Sequence, residues 1–127
     1  MGRKNIIYTY NMLDGVDLDT SVDSTATITT TVDHMSINIV WSGSTGTNTG
    51  AIVVQGTNKD PDASSFVAAD YFDLTLSGGL INLTGASGEH LIVFDKIPFR
   101  AIRLVYTNST HAAGTVSAIM SAKTIGA

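Results

Sequence analysis

The chain has 127 residues, enough for one domain around one core. Hydrophobic residues make up 43% and charged residues only 14%, with seven Lys and Arg against eleven Asp and Glu for a net charge of -4. No basic stripe suits a phosphate backbone, so nucleic acid is not an expected partner, and the absence of cysteine excludes a disulfide framework or a thiolate metal site.

A chain this poor in charge is expected to hide part of its surface in an assembly. Its opening, MGRKNIIYTYNM, has Ile6 and Ile7 as its one continuous apolar run, too short for a signal peptide or a membrane span. The mature chain is therefore expected to be the encoded one, with no membrane contact.

From Asn5 to Tyr10 the residues alternate, which suits a short strand or an extended arm laid on a neighbour. Asp14, Asp17, Asp19 and Asp23 follow among small residues and predict an exposed loop or a weak sheet edge. Residues 1–24 are accordingly read as an N-terminal arm with an acidic loop, and residues 25–127 as the folded domain.

Thr25 to Val32 places Ala26, Ile28 and Val32 inward, and Met35 to Ser42 does the same with Met35, Ile37, Ile39 and Trp41. Asp33 and His34 between them predict a tight hairpin turn. The stretch SGSTGTNTG is a glycine-rich loop, and Ala51 to Gln55 is apolar on both faces, as a central strand of a sandwich would be. A loop at Gly56 to Pro61 and one helical turn within Phe66 to Asp70 come next.

Tyr71 to Leu76 and Leu80 to Leu83 read as strands, and Leu91 to Asp95 as a buried apolar run stopped by Pro98. Beyond Pro98, the row Ile102, Leu104, Tyr106 and the row Val116, Ala118, Met120 predict two strands of a hairpin in the centre of a sheet. Eight or nine short strands at this spacing predict an all-β antiparallel β-sandwich, with jelly-roll and Ig-like connectivities left open.

Candidate chemistry is sparse. The acidic run lacks the residue order of a calcium loop, and His34, His90 and His111 are three surface histidines with no second imidazole at metal spacing, so no metal and no cofactor are expected. No nucleophile, base and orienting acid come together, so the chain is not read as an enzyme. Trp41 with Tyr71, Phe72 or Tyr106 suits a sugar-stacking platform, but the inward row that Trp41 continues makes it a core residue. Arg100 and Arg103 are charges within an apolar strand that point to opposite faces, so at least one must reach a carboxylate or a partner subunit.

Two segments, VWSGSTGTNTGAIVVQGTNKDP and IPFRAIRLVYTNSTHAAGTVSAIMSAK, carry a resemblance that covers about two thirds of the chain. Through Trp41, Gly43, Asn58, Asp60, Phe99, Ile102, Arg103, Tyr106, Thr107, Gly114, Thr115, Ala118 and Lys123, the chain resembles a group of small virion proteins of tailed bacteriophages. That group is similar to capsid decoration or cement proteins.

The resemblance implies a β-sandwich on the outer capsid surface, a dimer or trimer of itself, and binding to the major capsid protein. Arg3, Lys4, Ile6, Tyr8, Arg100 and Arg103 are the expected coat or subunit contacts. The alternatives are a tail or adaptor component, or a carbohydrate-binding β-sandwich module.

Overall fold

A computed structural model describes residues 5–24, 27–28, 34–74, 81–94 and 99–125. Among these are ten strands: β1 (Asn5–Asp17), β2 (Val22–Asp23), β3 (Thr27–Ile28), β4 (His34–Ser42), β5 (Gly50–Thr57), β6 (Phe72–Asp73), β7 (Ile81–Asn82), β8 (Gly88–Phe94), β9 (Ala101–Asn108) and β10 (Thr115–Ile125). A single 3₁₀ turn, Ala68–Asp70, falls within the stretch expected to make a helical turn.

The strands form two antiparallel sheets. One runs β1-β10-β4-β8; the other runs β2-β9-β5-β6, with β3 also on β9 and β7 also on β5. Because β2 and β3 share one flank of β9, and β6 and β7 share one flank of β5, each sheet is four columns wide. The pairs β1–β10, β2/β3–β9, β4–β8 and β5–β6/β7 match the first half of the chain to the second half in reverse order. A long antiparallel ribbon rolled on itself gives this order, and it is the jelly-roll connectivity.

The inner faces carry the alternation read from the sequence. Met35, Ile37, Ile39 and Trp41 of β4, Val116, Ala118 and Met120 of β10, and Ile102, Leu104 and Tyr106 of β9 enter one core. Full burial of each large side chain contributes about 1.5–3 kcal/mol, so these rows set which face of each strand turns inward. On β5, Ile52 and Val54 are buried while Ala51 and Val53 are half-buried between flanking columns, as expected of a central strand.

Three expectations about neighbours are corrected. The strands beyond Pro98 do not form a hairpin: β9 lies in one sheet, β10 in the other, and the connection between them crosses the sandwich. Likewise β3 pairs with β9 whereas β4 pairs with β10 and β8, so no hairpin joins the two stretches around His34; Asp33 lies outside the described residues. Period-two alternation fixes a strand's inward face, and two inward rows pack across a core as readily as they line up within a sheet.

The third correction concerns the N-terminal segment. Residues 5–17 are the outer column of a sheet, not an arm apart from it, and the chain just beyond them is anchored by the fully buried Leu18. Register shifts at Asn11/Leu13 and Leu13/Val16 turn Met12 and Leu13 inward in succession while Asp14 and Asp17 stay exposed. The weak acidic edge expected from the sequence is thus the end of β1.

Candidate interaction surfaces

The outer face of the four-stranded sheet is apolar along one side. Ile119 of β10 lies in a row with Asn38 of β4 and Leu91 of β8, and the next rows place Val40 beside Ser117 and Glu89, and Val93 beside Ser36 and Ser121. Leu91 and Val93 are 60% and 63% exposed, Val40 and Ile119 41% and 43%. The buried Oδ1 of Asn38 at the middle of this patch has no hydrogen-bond partner among the described residues. These four exposed apolar side chains, set among Ser36, Asn38, Ser117, Ser121 and Glu89, make the face a candidate contact surface.

The expectation that Leu91 to Asp95 is a buried run is corrected here: Ile92 is buried, but Leu91 and Val93 face solvent. The signal was present in the sequence. A strand in a two-sheet sandwich turns one face to the core, so an unbroken apolar run must present its other face outward. At one end of this face a depression of about 260 Å³ is lined by His34, Ser36, Val93 and Lys123 among others.

The outer face of the other sheet carries a polar network beside the half-buried pair Val53 and Val105. Arg103 on β9 donates through Nε to Gln55 Oε1 at 2.8 Å, lies 3.6 Å from Asp23, and stacks over the Tyr71 ring with Cζ 4.1 Å from its centroid. Gln55 in turn donates to Asp73 Oδ1. Burial raises the Tyr71 pKa, and the nearby Arg103 cation partly opposes that. Arg100 reaches Asp60 at 3.6 Å, so each arginine meets an acid of its own chain.

At the loop end of the sandwich, His111 is only 3% exposed, which corrects its assignment to the surface; His34 and His90 are exposed as expected. Its Nε2 lies 2.7 Å from the Leu83 carbonyl, which can only accept, so Nε2 donates there, and Nδ1 lies 2.5 Å from the Ser44 hydroxyl, which serves it as donor or acceptor. Asn108 accepts the His111 backbone N–H and donates to the carbonyls of Asp19 and His111. These bonds tie the β4–β5, β7–β8 and β9–β10 connections into one rigid end.

The aromatic residues do not assemble a stacking platform. Trp41 and Tyr106 are in the core, as the inward row of Trp41 indicated, and Tyr71 lies under Arg103, leaving Phe72 exposed at 69%. Among the described residues no group of three His, Asp or Glu is placed to hold a metal ion. Arg3 and Lys4 lie outside the described residues, while Ile6 and Tyr8 are strand positions on β1 opposite Thr124 and Ala122. Among the described positions, Ile6 and Tyr8 lie in one sheet and Arg103 in the other.

No family model matches the chain, and no curated protein matches it. Among solved structures it is similar to part of a chain in the structure of infectious bursal disease virus Gx strain, at 14% identity and a TM-score of 0.50 over 97% of this chain and 33% of that one. A chain in the structure of the Gt strain of the same virus is 11% identical, with a TM-score of 0.48 over 94% of this chain and 32% of that one. The protein thus spans about a third of the solved chains it matches. At 14% identity, what the chain shares with the Gx-strain structure is an all-β sandwich fold.

Proposed function

We propose that this chain is a non-enzymatic structural virion protein that decorates the outer surface of a bacteriophage capsid and stabilises junctions between coat subunits. The observation that carries this reading is the division of labour between its two outer faces. One carries a polar network around Arg103, and the other the exposed side chains of Val40, Leu91, Val93 and Ile119. A rigid jelly roll with one adhesive face suits a part that adds interface area to a lattice, and the resemblance to virion proteins supports the same role.

The mechanism is additive burial. Each copy contributes modest contact area to the major capsid protein, and many weak contacts on a closed shell act together through avidity. The coat contacts are assigned to Val40 and Ile119 together with the segment holding Arg3, Lys4, Ile6 and Tyr8. Arg100 and Arg103, already paired with Asp60 and Asp23, hold the fold.

Quantitative mass spectrometry of purified particles tests the reading. A copy number near that of the coat protein is the expected result. A much smaller ratio would move the chain to a tail or adaptor position, and its absence from particles would overturn the virion role.

A further inference from the structure

We infer that the free edge of β8 pairs with the same strand of a second copy, making a two-fold dimer through one continuous sheet. The four sheet edges are not alike. Among the described residues, the outer columns of one sheet are the two-residue strands β2, β3, β6 and β7, too short to template a long ladder. In the other sheet β1 is twice bulged and carries the exposed Asp14 and Asp17.

The fourth edge lacks such protection. Strand β8 runs residue for residue along β4 from Gly88 to Phe94 without a bulge, proline or lysine, and its exposed side chains include Leu91 and Val93. Its outer backbone edge receives no hydrogen bond from any described residue. Regular and left uncovered by the described residues, it is the kind of edge that soluble proteins protect unless it is used.

The occupant is a second copy because the strand is complementary to itself in one antiparallel register. With the two-fold axis at Ile92, Leu91 faces the partner's Val93, Ile92 faces the partner's Ile92, and His90 faces the partner's Phe94. Each outward apolar residue then gains an apolar cross-strand neighbour. Edge pairing leaves the outer face open, so coat binding and dimerisation do not compete.

The test is sedimentation equilibrium of the full chain. The wild type is expected at twice the 13.3 kDa chain mass. Leu91→Lys with Val93→Lys should give a folded monomer with unchanged circular dichroism, whereas Ile119→Lys, two columns from the edge, should leave the dimer intact.

The absence of cysteine permits a second readout. Leu91→Cys chains mixed with Val93→Cys chains should form a disulfide-linked dimer on oxidation, because directly opposed residues lie within disulfide reach, while each variant alone should not. A monomeric wild type, a stoichiometry other than two, a dimer that survives the paired lysines, or cross-linking by either cysteine variant alone would overturn the proposal. Particle binding is scored separately, so failure here leaves the proposed virion role standing.

Discussion

Tyr106 shows how one side chain couples the core to the chain's early loop. Its ring is fully buried, its hydroxyl donates to the Leu18 carbonyl at 2.7 Å, and Gly50 leaves the space the phenol occupies, since a Cβ there would lie 2.6 Å from the hydroxyl oxygen. Tyr106→Phe keeps the packing and loses the bond, so urea denaturation should show a loss of about 1–2 kcal/mol. Burial, with a smaller contribution from the Asp19 charge, raises the Tyr106 pKa above its ordinary 10.0. The neutral phenol is favoured by folding, so its contribution is fully present below pH 10 and is lost as the pH climbs through the raised value. Denaturation between pH 8 and 11 should show that decline, with a shallower slope in Tyr106→Phe.

A second residue-scale prediction concerns Gly88, where a Cβ would lie 2.2 Å from the Trp41 ring. Gly88→Ala should force the indole out of place at a cost of about 1–3 kcal/mol and shift tryptophan emission to the red.

At the scale of elements, β1 is held by its pairing from Asn5 opposite Ile125 through Asp17 opposite Thr115. Deleting residues 1 to 10 removes roughly half of that ladder, and at about 1 kcal/mol net per hydrogen bond the expected loss is at least about 2 kcal/mol, read by calorimetry. Coat-binding experiments should therefore change Arg3 and Lys4 individually instead of truncating the strand. On the other sheet Arg103→Lys should cost about 1 kcal/mol, because an ammonium cannot stack on Tyr71 while presenting a planar donor to Gln55.

These elements also show what the sequence made legible. Alternation gave the inward rows of β4, β9 and β10 directly, because burial selects one face of each strand. It did not give the partners, since rows that face each other across a core read identically to rows side by side. The bulges of β1 broke the period that would have extended the strand past Tyr10. His111 looked like a surface residue because its partners, Ser44 and Leu83, come from loops far away in the chain.

At the scale of the whole molecule, one end of the sandwich is tied together by its loops. The Ser44–His111–Leu83 contacts and the Asn108 bonds join three connections at one end. Replacing His111 by Ala leaves the Ser44 hydroxyl and the Leu83 carbonyl without their partner, at an expected cost of about 1–3 kcal/mol. Amide exchange should speed up first in the loop between β4 and β5, because that loop loses its anchor while the core rows remain.

The reverse-order pairing of the chain has a kinetic consequence. The register that sets Asn5 against Ile125 joins segments separated by almost the whole polypeptide, whereas β5 and β6 are joined by a much shorter loop. Closing the outer pair first would cost more entropy than closing the inner one, so the ribbon should zip from β5 outward and seal β1 against β10 last. Stopped-flow refolding should accordingly take milliseconds to seconds, the range of high-contact-order domains. Substitutions in the β1–β10 ladder should speed unfolding while leaving the folding rate nearly unchanged.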